Sequence, residues 1–231
     1  RIIDRQKILA DTVLRDVGTA RGRVVSAPFP RGSYAYDVQY DDQLNQNGAG
    51  SRDLPLAFFL IKFTEKRLGG KLPSLKMVCE PGEVVRAAAE KLVLQWAQLG
   101  IQVTIVEDTE ETPSDWDIVY RTVRMTEPVT DLWPFLTMKP DARVKDLEHL
   151  PDWLRQQLIE LEQSVDFNTS VRMLRGLHFR LNELVHVIPL WEVDDVIVVR
   201  KNIQGFPRRL IHPYQNVEQW KVTPWYSTNL L

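Results

Sequence analysis

Cysteine is almost absent from this 231-residue chain, since Cys79 is the only one. A single cysteine rules out an internal disulfide and a cysteine-rich zinc site. An excess of one charge is also missing, because 29 basic residues are offset by 31 acidic ones and the formal net charge is -2. A protein that follows a phosphate backbone carries a basic stripe. The balanced charge therefore argues against a nucleic-acid partner.

Long hydrophobic runs are missing as well. The longest, from Leu54 to Ile61, contains Pro55 and is far shorter than the roughly 20 apolar residues of a membrane-spanning helix. The chain opens with Arg1 and Ile2, without an initiator Met or the apolar stretch of a signal peptide. We expect no spanning segment, and we expect the chain to be a piece of a longer protein.

Motifs of nucleotide binding and nucleophilic catalysis are lacking. Gly48 and Gly50 are followed by Asp53 where a dinucleotide loop has its third glycine, and no predicted strand precedes them. No serine stands in a Gly-x-Ser-x-Gly turn, and Cys79 lies in a predicted buried strand. None of the four histidines has a partner at the spacing of zinc ligands; they are His149, His178, His186 and His212. We predict no catalytic residue, no metal and no cofactor, and we expect His178 to be a hydrogen-bonded core histidine.

Two acidic clusters leave an enzyme, such as a hydrolase, as an open alternative. The first runs from Glu107 to Glu111, and the second comprises Glu192, Asp194 and Asp195. Clustered carboxylates can act as acid and base. A run of this kind is more often a solvated loop, however, and the second group suits a turn.

The clearest structural pattern lies between residues 75 and 106. Residues 75–79 predict a strand, and Ile101, Val103 and Ile105 alternate with polar residues as in a second strand. Between them, apolar residues recur at the spacing of one buried helical face: Val85, Ala88, Ala89, Leu92, Trp96 and Leu99. This order predicts a βαβ unit with parallel strands and a right-handed crossover.

The remaining elements are predicted from shorter patterns. Helices are expected over residues 2–14, 55–68, 151–163 and 170–185, and a further strand over 116–120. Residues 22–50 and 120–150 are expected to be irregular, because prolines and turn residues interrupt them. Strands over 186–192 and 196–200 are expected to form a hairpin around Asp194 and Asp195.

Five short motifs occur in a characteristic order along the chain. They are Ile3-Asp4-Arg5-Gln6-Lys7-Ile8; Leu75-Lys76-Met77-Val78 with Ala87-Ala88-Ala89-Glu90; Leu99-Gly100-Ile101-Gln102-Val103; Asp115-Trp116-Asp117; and Val187-Ile188-Pro189-Leu190-Trp191 with Val199-Arg200-Lys201-Asn202-Ile203-Gln204-Gly205-Phe206. In this order they resemble the C-terminal part of the family 5 extracellular solute-binding proteins. These are the peptide-, oligopeptide- and nickel-binding receptors of ABC importers.

The resemblance implies an α/β, periplasmic-binding-protein-like (type II) fold. The chain, residues 1–231, would be mostly one lobe of a two-lobed receptor, with a mixed sheet and a βαβ core at about 75–120 flanked by helices. A ligand-facing loop would occupy about 120–150, and helices and a hairpin would occupy 151–206. The implied partners are a peptide or other small solute, an ABC permease and the N-terminal lobe of the same parent chain. The implied location is periplasmic or extracytoplasmic, and membrane anchoring through a missing N-terminus is left open.

The resemblance also suggests where a ligand binds. In peptide-binding members, the loop after the Trp-Asp strand carries an Asp that pairs with the α-amino group of the peptide. Thr126 occupies that position here and Val123 replaces a Trp, while Glu127 follows directly. Two arginines make the loop basic, which favours an anionic ligand or a loss of peptide binding. We predict the ligand contacts Arg121, Arg124, Thr126, Glu127, Trp133 and Trp191.

The predicted function is therefore that of a non-enzymatic ligand-capture lobe of an ABC-type importer. The replaced Trp and Asp positions keep an alternative open. In that alternative the chain is a degenerate solute-binding-like domain with a sensory or protein-interaction role.

Overall fold

The computed structural model describes residues 2–46, 53–109, 115–206, 214 and 216–223. The chain divides into two units, Arg1–Val193 and Asp194–Leu231. The helices of the first unit are α1 Arg5–Ile8, α2 Val38–Gln46, α3 Leu54–Leu68, α4 Glu83–Ala97, α5 Pro128–Thr137, α6 Asp152–Glu162 and α7 Phe167–Leu184. Its strands are β1 Gly22–Val24, β2 Leu75–Cys79, β3 Val103–Glu107, β4 Ile118–Tyr120 and β5 Trp191–Val193. In the second unit, β6 Ile203–Gln204 pairs antiparallel with β7 Lys221–Val222.

The parallel sheet has the strand order β3-β2-β4, so β2 is paired on both sides. At the carboxyl end of β2, Cys79 lies opposite Glu107 on one side and Tyr120 on the other. Met77, Val78 and Cys79 are buried, as expected for a strand with a neighbour on each side. The predicted βαβ unit and its additional strand are confirmed.

Helix α4 forms the crossover between β2 and β3. Glu83 lies in its first turn, where a negative charge is favourable. Ala88, Ala89 and Leu92 are its buried residues, and Ala89 packs against the apolar side chains of β2. Gly100, with a φ of 84°, adopts the left-handed conformation that follows the helix. The buried helical face predicted from the spacing of these residues is confirmed.

A separate hydrophobic core joins α5, α6 and α7 to the segment between Val25 and Tyr36. Its fully buried leucines are Leu132, Leu147, Leu154, Leu158, Leu161, Leu174, Leu177 and Leu181. Burying a leucine side chain contributes roughly 1.5–3 kcal/mol relative to leaving it exposed. This core therefore holds the C-terminal helices in place, and the predicted helices over 151–163 and 170–185 are confirmed within a few residues.

His178 of α7 is buried in a polar network, as the sequence predicts. Its Nδ1 accepts a hydrogen bond from the backbone N–H of Asp37 at 3.1 Å, and its Nε2 lies 2.9 Å from Oγ of Ser26. The ring packs against the rings of Tyr36 and Tyr40 at centroid distances of 4.8 and 5.2 Å. Since the Asp37 amide donates to Nδ1, the proton of the neutral ring is at Nε2 and is donated to Ser26.

The prediction of irregular structure over 22–50 and 120–150 is wrong in part. The first stretch contains β1 and α2, and the second contains α5 and a 3-10 turn, Val144–Leu147. The prolines are the reason for the wrong prediction over 120–150. Pro128 occupies the first turn of α5, where no backbone N–H is needed, and Pro134 is accommodated inside the same helix. Burial of Leu132 and Trp133 offsets the hydrogen bond that Pro134 cannot make.

The predicted hairpin around Asp194 and Asp195 is also wrong. Residues 194–200 form no strand, and β5 pairs antiparallel with β1, with Val24 opposite Trp191. A local turn signal cannot reveal a strand partner that lies far away in the sequence. A mixed sheet was expected, with parallel and antiparallel pairs together. Instead, the three-stranded sheet is parallel throughout, and the antiparallel pairs β1-β5 and β6-β7 form separate two-stranded sheets.

The first predicted helix, over 2–14, is confirmed as α1 and a π-helical turn, Leu9–Val13. Asp4 caps α1 by accepting a hydrogen bond from the backbone N–H of Lys7 at 3.0 Å. Within the described parts of the chain, none of the helices combines the length and the apolar character that crossing a bilayer requires.

Candidate functional site

The carboxyl ends of the three parallel strands meet at one edge of the sheet. These ends are Cys79 in β2, Glu107 in β3 and Tyr120 in β4. In open α/β sheets, ligands bind in the crevice beyond the carboxyl ends of the strands. The candidate site therefore consists of the residues that directly follow these three strands.

A groove of about 210 Å³ opens at this edge, beside the first turn of α4. It is lined by Cys79, Glu80, Gly82, Glu83, Arg86 and Glu107. Three carboxylates and one guanidinium belong to its lining residues. The turn into α4 depends on Gly82, whose φ of 146° is disfavoured for a residue with a side chain.

Glu80 connects the groove to the segment that follows β4. Its carboxylate accepts a hydrogen bond from the backbone N–H of Thr122 at 2.8 Å. In addition, the backbone N–H of Glu80 donates to the carbonyl oxygen of Tyr120 at 3.2 Å. These two bonds hold residues 121 and 122 against the end of β2, so the groove and the predicted ligand-facing segment belong to the same edge.

Four of the predicted ligand contacts lie in this segment: Arg121, Arg124, Thr126 and Glu127, all of them exposed. The carboxylate of Asp131, in the first turn of α5, shapes their backbone. Its Oδ2 accepts hydrogen bonds from the N–H groups of Thr126 and Glu127 at 2.7 and 2.8 Å. The Thr126 hydroxyl lies 3.3 Å from the same oxygen. The main-chain donors of this turn are therefore already used within the protein.

Glu127 is the N-cap of α5, and its carboxylate has two partners. It accepts a hydrogen bond from the N–H of Val129 at 3.4 Å and a short one from the hydroxyl of Tyr34. Burial of the Tyr34 phenol and its bond to Glu127 raise the pKa of Tyr34 above its ordinary value. The hydroxyl thus stays protonated and remains a donor, which occupies part of the carboxylate that was predicted to face a ligand.

The other two predicted contacts lie elsewhere. Trp133 is only 9% exposed and belongs to the core between α5, α6 and α7, which leaves it little surface for a ligand. Trp191 lies in β5 and packs against the cluster of Ile8, Ala88 and Leu92. The structure brings together the four contacts predicted from the segment after β4, whereas Trp133 lies in the helical core and Trp191 packs, like Tyr120 at the end of β4, against the cluster of Ile8, Ala88 and Leu92.

Sequence reasoning missed Glu80, Glu83 and Arg86, which line the groove. The signal that could have identified them is their position directly after a predicted parallel strand, where ligand-binding residues of α/β proteins concentrate. Glu107 was noted only as part of an acidic run, whose last residues, 110–111, lie outside the described residues.

Glu192, from the second acidic cluster, has a structural role. Its carboxylate forms an ion pair with Arg23 at 2.8 Å and accepts a hydrogen bond from the N–H of Arg31 at 2.8 Å. Among the residues that the structure describes, no three histidine, cysteine or acidic side chains are grouped as metal ligands would be.

Burial raises the pKa of the Cys79 thiol, and the neighbouring carboxylate of Glu80 acts in the same direction. Burial likewise raises the pKa of the Tyr120 phenol. Both groups are therefore protonated at neutral pH, which disfavours Cys79 as a nucleophile. The charged groups at this edge are the glutamates, Asp108 and the arginines, and they are suited to holding a charged or polar solute.

Comparison with solved structures shows the fold. The chain is similar to the oligopeptide-binding protein AppA from Bacillus subtilis, solved in complex with a nonapeptide, with 15% identity, a TM-score of 0.59 and 96% of the chain covered. It is also similar to a nickel ABC transporter protein from Bacillus halodurans, with 17% identity, a TM-score of 0.60 and 83% covered. NikA from Staphylococcus aureus, in complex with Ni(L-His)2, matches with 13% identity, a TM-score of 0.60 and 89% covered.

The matches extend over 46%, 40% and 43% of these three solved chains, respectively, so the protein spans less than half of their length. No protein-family model matches the chain, and no curated protein does. The expected α/β, periplasmic-binding-protein-like fold is confirmed, and the likeness is to part of each solute-binding protein.

Proposed function

We propose that this chain is the ligand-contacting lobe of a solute-binding protein that serves an ABC-type importer. One observation carries the proposal: the fold similarity to an oligopeptide-binding protein extends over 96% of the chain. The proposed role is capture of a small solute between this lobe and a companion lobe, followed by delivery to a membrane permease. The proposed location is outside the cytoplasm, and no chemical step is part of the role.

The proposed ligand surface is the carboxyl edge of the parallel sheet. On the α4 side it offers the carboxylates of Glu80, Glu83 and Glu107, and after β4 it offers the guanidinium groups of Arg121 and Arg124. Groups of both signs favour a solute that carries charge. Ordered charge-assisted hydrogen bonds of this kind are stronger than neutral ones.

The geometry around Thr126 argues against capture of a peptide amine at that position. Thr126 has no carboxylate, and its N–H is already bonded to Asp131. The adjacent Glu127 carboxylate is engaged by Val129 and Tyr34. A peptide bound here would need another acidic partner for its α-amino group, and the carboxylates that line the groove, Glu80, Glu83 and Glu107, are the proposed candidates.

The missing carboxylate at Thr126 supports a second candidate function. In this one the chain is a degenerate solute-binding-like domain with a sensory or protein-interaction role. It would have kept the fold while the carboxylate next to Thr126 became a helix cap. If this second function is correct, no solute should bind to the protein with measurable affinity.

The test is to purify the proposed two-lobed parent protein, which contains this chain and its companion lobe, and to identify co-purified small molecules by native mass spectrometry. Calorimetric titration then uses two probes that matched proteins carry in their solved complexes, a nonapeptide and nickel with L-histidine. For a bound solute, we expect the double variant R121A/R124A to weaken affinity at least tenfold, because both guanidinium groups are removed from the proposed surface.

The matched control is R15A/R21A, which removes two exposed arginines from the segment between α1 and β1 and should leave affinity unchanged. Equal affinity of R121A/R124A and the wild type would show that the ligand surface is placed wrongly. Absence of any co-purified solute, together with no heat from either probe, would support the second candidate function instead.

A further inference from the structure

The segment between β5 and β6 contains a run of β-branched apolar residues that has no strand partner. The run is Val196-Ile197-Val198-Val199, and we call these four residues the unpaired run. Valine and isoleucine favour extended, pleated backbone, so the sequence predicts a strand here. In the described part of the chain, however, the run belongs to none of the sheets and its backbone forms no hydrogen bond. Its donors and acceptors are therefore available to another strand.

Both faces of the unpaired run are apolar. In an extended chain, Val196 and Val198 point to one side, and Ile197 and Val199 point to the other. Val196, Ile197 and Val198 are 58%, 42% and 92% exposed, so each side is open to solvent. A strand with one wet face alternates apolar and polar residues, whereas a strand covered on both faces is apolar throughout. The run thus has the composition of a strand inside an α/β sheet that is covered on both sides.

The unit that contains the unpaired run is too small to supply much burial of its own. Asp194–Leu231 comprises 38 residues, and units below about 40 residues usually depend on a disulfide, a metal or a partner. The single cysteine, Cys79, lies outside this unit, and the described residues contain no group of metal ligands. Its described ladder joins β6 to β7 over two residues each, and an isolated two-stranded sheet is only marginally stable. A partner surface would supply the missing burial.

We propose that the unpaired run enters a β-sheet of the companion lobe as one of its strands. Residues from Asp194 onward then belong to that lobe rather than to the lobe built by Arg1–Val193. Main-chain hydrogen bonds to a neighbouring strand supply the affinity, as they do wherever an extended segment adds to a sheet. The two apolar faces meet the layers that cover the sheet. This inference rests on the proposed function, because it requires a companion lobe in the parent protein.

The extent of the fold similarity favours the companion lobe over a second copy of this chain. The match to AppA covers 96% of the chain, so it includes most of Asp194–Leu231, yet it extends over only 46% of the AppA chain. Most of the unit thus has a counterpart in a protein whose single chain provides further residues to pack against it. A ladder between two copies of the run would be two-stranded and would leave both apolar faces without a covering layer.

The experiment is hydrogen exchange, followed by mass spectrometry, on the 231-residue protein and on the two-lobed parent protein. We expect peptides that contain residues 196–199 to exchange at least about 100-fold more slowly in the parent, because the hydrogen bonds of a ladder protect its amides. Peptides from β2, which is paired on both sides within this chain, serve as the internal reference. They should be protected in both proteins.

The variant V196D/V198D places two carboxylates on one face of the run. In the parent it should abolish the protection of residues 196–199 and lower the thermal midpoint by at least about 4 °C, because charges would be buried in the sheet. The matched control is V144D/V165D, whose valines are 54% and 104% exposed and lie outside the run. The control should keep both the protection and the midpoint of the parent. In the 231-residue protein, far-UV circular dichroism should show wild-type helix content for both variants.

Equal exchange of residues 196–199 in the two wild-type proteins would overturn the proposal, and so would protection that persists in V196D/V198D. Protection in the 231-residue protein alone that rises with its concentration, together with dimers in analytical ultracentrifugation, would assign the run to a second copy instead. The outcomes also separate this inference from the proposed function. A parent that binds a solute but leaves residues 196–199 unprotected contradicts the inference alone, whereas a parent with protected residues and no bound solute contradicts the proposed function alone.

Discussion

The buried His178 makes the stability of this protein depend on pH in a window that carboxylates do not share. The imidazole is fully buried, and burial lowers the pKa of His178 from 6.5 to about 4, while the carboxylates of Asp41 and Asp37 oppose this shift. The ring is therefore neutral in the folded protein at pH 7. Protonation would also place a hydrogen on Nδ1, which faces the donating N–H of Asp37 at 3.1 Å.

The sign of the effect follows from which state takes up the proton first. As the pH falls below 6.5, the unfolded chain protonates His178 while the folded chain does not, so the free energy of unfolding decreases. The loss continues until the pH reaches the folded pKa of about 4. At 1.36 kcal/mol for each unit of difference, the loss between pH 7 and pH 4 is about 3 kcal/mol.

The assay is urea denaturation at several pH values between 4 and 7.5, on the wild type and on His178→Gln. Glutamine keeps a donor and an acceptor but cannot titrate. The variant is expected to be less stable at pH 7.5 and to have a shallower pH dependence between 4 and 6.5. The pKa values of Asp115, Asp146 and Asp166 are lowered chiefly by hydrogen bonds from Lys76, Lys139 and Thr169, respectively, so their stabilising effects disappear below this window. Parallel pH profiles for the two proteins, or a His178 pKa above 6 by NMR, would refute the reasoning.

Two other predictions concern the core and the turn into α4, and both are checked by urea denaturation at pH 7.5. Leu158→Ala, in the core of α6, should lower the free energy of unfolding by about 2–5 kcal/mol, whereas Leu94→Ala, at 58% exposure, should change it by less than about 1 kcal/mol. Gly82→Ala should cost about 2 kcal/mol because its φ is 146°, whereas Gly176→Ala, in open space within α7, should stabilise by about 0.5–1 kcal/mol. Equal effects of the two leucine variants would contradict the assigned burial of Leu158. Equal effects of the two glycine variants would contradict the backbone conformation assigned to Gly82.

The sequence predicts the elements that depend on local periodicity. Both strands of the βαβ unit and the helix between them are found within a few residues of their predicted positions. The buried state of His178 is also predicted, because an apolar seam at helical spacing places the ring in the core regardless of what packs on it. The motif order along the chain points to the fold that the solved structures share.

Strand pairing and other features that depend on residues far apart in the sequence are determined by the tertiary structure. β5 pairs with β1 rather than with the nearby residues 196–200, and α5 forms across Pro134 because Leu132 and Trp133 are buried against other helices. The same holds for the candidate site. The ligand contacts from Arg121 to Glu127 are predicted from the family resemblance, but the connection of this segment to Glu80 is not.

The physical reason is that a sequence pattern records which face of an element is apolar, not which surface that face meets. Periodicity alone therefore identified α4, β2 and β3 as one unit. Only the folded chain shows that Trp133 belongs to the core and that Glu127 is occupied by Tyr34. It also shows that α3 buries Ile61 while its phenylalanines face outward, because burial depends on the surrounding elements as well as on the side chain.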